Sequence, residues 1–206
     1  SAPMLETARK RAAESPGTIL FEEADAQTHG FAEASFDLLF SRFGVMFFAD
    51  PREAFANLRR ALAPHGRLAF LCWQELGRNA WMTVPLGAIA RVLPLPPPPA
   101  PDAPGPFAFA DRERVAGLLA AAGFGEIELE SLEQTVSIGG RGATVAEAAD
   151  FALQLGPAAA ALREAPPELR ERATAAIREA LAPHAGRDGV AMPAAAWIVT
   201  ARAGRA

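Results

Sequence analysis

Ser35-Phe36-Asp37-Leu38-Leu39-Phe40-Ser41-Arg42-Phe43-Gly44, then Asp50-Pro51, then Arg67-Leu68-Ala69-Phe70-Leu71-Cys72-Trp73 is the stretch that decides the fold. Phe36 to Ser41 is nearly continuous in apolar character, as a parallel strand covered on both faces would be. Asp50 is an N-cap and Pro51 suits the first helical turn, where a missing N–H costs nothing. Phe55, Leu58 and Leu62 follow at helical spacing, and Pro64-His65-Gly66 ends the helix before a second apolar strand at Arg67 to Trp73. Strand, helix, strand in this order is a crossover unit. It predicts a parallel sheet whose ligands lie at the carboxyl ends of the strands.

Upstream, Leu5, Ala8 and Ala12 recur at helical spacing, which predicts a helix over Pro3 to Glu14 broken by Ser15-Pro16-Gly17. Thr18-Ile19-Leu20-Phe21 reads as a short strand that delivers Glu22-Glu23-Ala24-Asp25 at its carboxyl end. Downstream, Trp81 to Leu93 reads as helix, and Pro94 to Pro106 as an ordered extended loop. Asp111 caps a helix carrying Val115, Leu118 and Leu119, Gly123 stops it, and a strand follows around Ile127 to Leu132. Thr144-Val145-Ala146-Glu147 is a capping box opening a helix to about Leu155. Pro167 to Leu181 is a further helix and Ala195 to Ala201 a final strand. Residues 1–206 read as one domain with excursions at 76–110 and 144–185.

Composition narrows the partners. Of 206 residues half are hydrophobic and 21% charged, with a formal net charge of -4. A disordered chain is excluded, and nothing in the charge balance calls for nucleic acid or an anionic membrane. Lys10 is the only lysine, which reads as coding bias. No apolar run reaches the length of a membrane span, since Arg42 and Arg91 interrupt the longest. Cys72 is alone, and no cysteine–histidine set has metal-site spacing, so a reducing cytoplasm and no metal are expected.

Chemistry-bearing residues each carry two readings. Asp25-Ala26 after a strand could offer a carboxylate to an exocyclic amine and an adjacent amide to a ring nitrogen; alternatively Asp25 caps a loop turn. His29 is a base near a substrate or a solvated loop histidine. Glu22 and Glu23, adjacent on a strand, would face opposite sides and make a poor acid/base pair. Cys72 in an apolar strand reads as buried and inert. Trp73 and Trp81 either wall a site for a flat substrate or pack the core.

Taken in order, the phrases at Met4-Leu5, Ala8-Arg9, Glu23-Ala24-Asp25-Ala26, Ser35 to Gly44, Arg59-Arg60-Ala61-Leu62-Ala63-Pro64-His65-Gly66-Arg67-Leu68 and Ala122-Gly123-Phe124 resemble class I S-adenosylmethionine-dependent methyltransferases. The similarity is to the methyltransferase domain type 11 kind, which acts on small molecules and quinone precursors. It covers nearly the whole chain and implies an α/β Rossmann-like fold: a mostly parallel sheet, an antiparallel last strand and a helical lid. It further implies that Met4 packs on the adenine of S-adenosylmethionine, that Asp25 and Ala26 read its edge, and that Ser41, Arg42 and Phe43 border the methionine part and the substrate. His65 stands where the family often has a turn glycine.

The family's glycine-rich loop and ribose-binding acid have no counterpart here, and Ile138-Gly139-Gly140-Arg141-Gly142 reads as a flexible turn. The expectation is that the first strands of the family are missing and that these residues are the carboxyl-terminal part of a longer enzyme.

The resulting expectation is methyl transfer from S-adenosylmethionine to a small, apolar or aromatic acceptor held by Phe43, Trp73 and Trp81. Displacement at an activated carbon needs positioning more than a base, and no catalytic residue is assigned. The rivals are a non-catalytic methyltransferase-like binding module and a nicotinamide-dependent dehydrogenase. The latter would not be expected to end in an antiparallel strand. The expected partner is the small-molecule acceptor alone, with no nucleic acid and no membrane; the oligomeric state is left open.

Overall fold

The computed structural model describes residues 1–13, 18–163 and 165–204. Helix α1 spans Ala2–Ala12, with Pro3 in its first turn and no buried side chain. Strand β1 is Phe36–Arg42, helix α2 Pro51–Ala61 and strand β2 Leu62–Trp73. Asp50 caps α2 by accepting from the N–H groups of Arg52 and Glu53 at 2.9 and 3.1 Å, as the Asp-Pro pair foretold. Then come α3 (Ala80–Ala90), α4 (Arg112–Ala121), β3 (Phe124–Ile138), α5 (Val145–Ala152), α6 (Gly156–Arg163), α7 (Pro167–Leu181), β4 (Ala185–Gly186) and β5 (Gly189–Ala203). No described helix is long and apolar enough to cross a membrane.

The sheet runs β1-β2-β5-β3, with β4 hairpinned onto β5. β1 and β2 are parallel through the α2 crossover, and β5 lies antiparallel to both β2 and β3, so among the described strands the sheet is mixed with one parallel pair, where a mostly parallel sheet was expected. Inward positions of the sheet, Leu68, Phe70 and Cys72 of β2 with Val199 and Ala201 of β5, pack under Phe55 and Leu58 of α2 and Val115, Leu118 and Leu119 of α4. Phe55 stacks on both Phe70 and Phe109 at 5.8 Å.

β3 and β5 outrun their neighbours. β2 pairs with β5 from Arg67↔Arg202 to Trp73↔Ala196, whereas β3 follows β5 as far as Ile138↔Val190. The overhang carries a second apolar cluster: Ile138, Val190 and Met192 meet Ile89 of α3, Ala148 and Ala149 of α5, Leu162 of α6 and Ile177 and Leu181 of α7. Alanines on α5 and α7 let these helices approach closely.

Several expectations need correction. Residues 18–25 form no strand, since no described strand pairs with them, and Ile19 and Leu20 are 52% and 89% exposed. Of the five family strands expected from the sequence, the one assigned to Thr18–Phe21 is therefore not formed. β1 is not covered on both faces: Leu39 packs against the core, while Leu38 and Phe40 on the other face are 46% and 76% exposed. Helix α1 closes at Ala12, and the predicted break at Ser15-Pro16-Gly17, like the predicted helix end at Glu14, lies outside the described residues.

The strands expected at Ile127–Leu132 and Ala195–Ala201 are each far longer. Pro193 reads as a breaker, yet it sits past the end of β2, where a residue without an N–H is tolerated. α5 ends at Ala152, before Leu155, and α6 went unpredicted because Pro157 and the alanines around it carry little periodic signal.

Candidate functional site

The parallel pairing Ser41↔Phe70 and Arg42↔Leu71 brings the carboxyl ends of β1 and β2 side by side. The ladder continues one step, Phe43 donating its N–H to the Leu71 carbonyl at 3.1 Å. The chain then turns sharply: Phe43 takes φ +59°, a left-handed conformation that a bulky residue adopts only when its surroundings enforce it. The Ser41 hydroxyl accepts the Gly44 N–H at 3.2 Å, and a Cβ on Gly44 would come within 3.0 Å of that oxygen. Arg42 closes β1 and is exposed.

This turn lays the Phe43 ring on Trp73, the last residue of β2, at a centroid distance of 4.1 Å and 14° between planes. Trp81, in the first turn of α3, tilts against the other side of Trp73 at 4.9 Å and 47°. Phe43 and Trp73 pack on the sheet core, Trp81 on the helical cluster, so the aromatic trio straddles the seam between the two. All three rings are only partly buried. Beneath them the Met46 sulfur accepts the Trp73 N–H at 3.4 Å, and the Met46 carbonyl holds Gly105 of the proline-rich loop at 3.0 Å. The far end of that loop is tied by the Trp197 indole N–H to the Ala110 carbonyl at 2.9 Å.

A second group of named residues lies on the loop that leads into β1. Asp25 does not end a strand: its carboxylate accepts the Gln27 N–H at 2.9 Å and its carbonyl accepts from Thr28 and His29, so it caps its own turn. That turn is pinned to α2. The Asn57 amide donates to the carbonyls of Ala26 and His29 at 3.1 and 2.9 Å, and Gln27 bonds both Glu53 and the Asp50 N–H. Gln27 and Asn57 were missed from the sequence, because polar residues in a loop and on a helix look like ordinary surface. His29 sits 3.2 Å from Glu22 and edge-on to Phe31.

Met4, 74% exposed, faces Ile19 and Phe21 across a groove of about 780 Å³ beside α1. It is thus set among residues 19–21, while Ser41, Phe43, Trp73 and Trp81 form one cluster and Asp25-Ala26 are clipped to α2.

The remaining candidates have structural roles. Cys72 is fully buried, its thiol directed at the Phe109 carbonyl at 3.6 Å, and burial pushes its pKa up to about 12, which keeps it protonated. His65, expected in a turn ahead of the strand, instead lies within β2, which already begins at Leu62; it is exposed at φ +62°, in the irregular stretch between the Leu62 and Arg67 pairings, in the conformation a glycine would take. Gly139, Gly140 and Gly142 have positive φ and form the turn between β3 and α5, where the Gly142 N–H reaches the Asp188 carbonyl at 2.8 Å. Among the described residues no cluster of histidine, cysteine and carboxylates is arranged to hold a metal ion.

Residues 1–70 match the family described as "Methyltransferase domain". The demethylmenaquinone methyltransferase of Thermus thermophilus is 38% identical over 92 residues, which cover 45% of this chain and 42% of that protein. Its counterpart from Deinococcus radiodurans is 41% identical over 68 residues, covering 33% and 28%. The chain therefore spans less than half the length of these curated relatives.

Among solved structures, the YcgJ protein of Bacillus subtilis superposes with a TM-score of 0.59 at 13% identity, covering 100% of this chain and 80% of that one. A S-adenosylmethionine-dependent methyltransferase of Methanosarcina mazei gives 0.51 at 12%, covering 98% and 78%. At such identities the likeness speaks for the fold alone. Residues 1–70 thus match the methyltransferase domain family, and the described chain shares the α/β, Rossmann-like fold of these solved structures.

Proposed function

We propose that this chain serves S-adenosylmethionine-dependent methyl transfer to a small acceptor with a flat, apolar or aromatic ring. The observation that carries the reading is the aromatic trio at the carboxyl ends of two parallel strands, the edge on which open α/β sheets hold their ligands. The match of residues 1–70 to the methyltransferase family supports the cofactor, and the demethylmenaquinone named in two relatives supports a quinone-type ring as the acceptor class. The antiparallel β5 favours this reading over a nicotinamide-dependent dehydrogenase.

The residues present suit parts of such a cofactor. The strained turn at Ser41, Arg42 and Phe43 offers backbone at the sheet edge, Asp25 and Ala26 offer a carboxylate and a small residue toward an adenine, and Met4 offers an apolar contact. When bound, S-adenosylmethionine supplies a methyl group on a sulfonium, a carbon already activated for in-line displacement. The chain's own part is then positional: Phe43, Trp73 and Trp81 hold the acceptor ring and exclude water from it, and no side chain is assigned as a base.

The test is methyl transfer by the full gene product, followed as release of S-adenosylhomocysteine with a naphthoquinol acceptor. Turnover that falls at least tenfold in Trp81→Ala with cofactor affinity held supports the reading. Loss of cofactor binding together with turnover would show that the indole packs the fold and does not wall the acceptor.

A further inference from the structure

Asn79 is completely buried between the end of β2 and the start of α3, and every polar atom of its side chain is used. The two hydrogens of its amide nitrogen are shared among the carbonyls of Gln74, Glu75 and Ala195 at 3.2, 3.0 and 3.2 Å. Its oxygen accepts two bonds, the Ala195 N–H at 3.1 Å and the Trp81 indole N–H at 2.9 Å. One atom therefore ties the ring of Trp81 to strand β5.

The anchor is itself braced. Gln74, also fully buried, donates to Ser131 of β3 at 2.8 Å and to the Ala196 carbonyl at 2.8 Å, and Arg78 bridges Gln74 to Glu133. The indole N–H is the only polar handle Trp81 has, and it can only donate, so the acceptor that takes it fixes which way the ring faces. With Trp73 held on the opposite side by Phe43 and by the Met46 sulfur, the angle between the two indoles is set from Asn79.

We infer that Asn79 is a positioning residue of the acceptor site: through its side-chain oxygen it holds the Trp81 indole against Trp73 and so sets the aromatic wall of the slot, the surface on which a flat ring packs. The inference rests on the acceptor reading above. A plainer role competes with it. Beyond the end of β2, Ala195 would have an unpaired N–H, and Asn79 could serve that group alone.

A double-mutant cycle separates the two, with 2-naphthol as the flat probe in equilibrium dialysis and circular dichroism reporting the exciton coupling of the paired indoles. If Asn79 acts through Trp81, Asn79→Ala weakens 2-naphthol binding five- to twentyfold and abolishes the couplet. In a Trp81→Ala background the same change alters affinity by less than twofold. Equal loss in both backgrounds, or a couplet that survives Asn79→Ala, overturns the inference.

Should Asn79→Ala fail to fold, Trp81→Phe keeps a ring without the N–H and is expected to lose at least threefold in affinity. Unchanged affinity there overturns it equally. No binding of 2-naphthol by the native chain overturns the slot and the acceptor reading together, and the couplet then reports the hold on the indole by itself.

Discussion

Phe43 offers a perturbation in which two effects oppose each other. Its left-handed backbone costs about 1–2 kcal/mol for a residue with a Cβ, and its ring, half-buried and stacked on Trp73 at 4.1 Å, repays this. Half the burial of a phenylalanine side chain contributes about 1–1.5 kcal/mol, and the stacked pair adds roughly 0.5–1.5 kcal/mol beyond area. Phe43→Ala loses the ring and keeps the strain, so it should destabilise by about 1.5–3 kcal/mol. Phe43→Gly loses the same ring and sheds the strain. Glycine gives back part of that gain through the greater freedom of its unfolded chain, leaving it about 0.5–1 kcal/mol more stable than the alanine variant. Urea unfolding of the three proteins measures this ordering, native above Gly above Ala. Both variants should lose 2-naphthol affinity alike, since the slot loses the same wall. An alanine variant as stable as the glycine one would refute the claim that the turn is strained. A glycine variant more stable than the native chain would show that the stack contributes less than the strain costs.

Asp25→Asn in the full gene product keeps the oxygen that accepts the Gln27 N–H but removes the charge; S-adenosylmethionine affinity by calorimetry should fall by about 1–3 kcal/mol with the melting temperature held. Unchanged affinity would leave Asp25 as a turn cap only. Gly189→Ala should cost about 2–4 kcal/mol in unfolding experiments, because φ is +101° and a Cβ would sit 2.8 Å from the Ala143 nitrogen, against backbone that cannot yield; a cost near zero would contradict the close approach of the β4–β5 turn to the start of α5. Hydrogen bonds from the Thr144 backbone and hydroxyl hold the Glu147 carboxyl below the usual carboxylate range. A carboxyl lowered on folding adds stability above its unfolded pKa and loses it as pH falls through the folded value. The protection factors of the first-turn amides of α5 should therefore fall as pH drops through the carboxylate range, and Glu147→Gln should blunt that acid response.

What the sequence made legible follows the strength of local signals. Asp50-Pro51, Asp111 and the Thr144–Glu147 box are capping chemistries that act within one turn, and each opens a helix as read. Phe43, Trp73 and Trp81 could be brought together from sequence because Phe43 follows the end of one parallel strand, Trp73 ends its neighbour, and Trp81 begins the segment that must fold back over that edge. The overhang of β3 and β5 was not legible: its outward face carries Glu133 and Thr135, Pro193 imitates a breaker, and it is stabilised by strand pairing and helix packing between segments distant in sequence. The same holds for Gln27, Asn57 and Asn79. Each satisfies backbone groups of an element remote in sequence, and nothing in an amide's immediate neighbours announces such a partner.

The placement of the trio on a seam has a consequence for how an acceptor site can be built. Trp73 and Phe43 are fixed by the sheet, whose core of Phe55, Phe70 and Phe109 is fully or almost fully buried and closely packed, so their positions cannot shift without opening a cavity. Trp81 belongs to the other cluster, where alanines on α5 and α7 leave the helices in contact through small side chains, and its orientation depends on a single amide. The loop bearing Asp25 and Ala26 is clipped to α2, on the sheet side of the seam. On the acceptor reading, changes in α3 or in Asn79 act first on Trp81 and the strand ends that Asn79 bonds, while the turn at Ser41 and the Asp25 loop are held by other contacts. On the proposed reading, acceptor choice and cofactor binding are separable in this fold because they are held by different hydrophobic units.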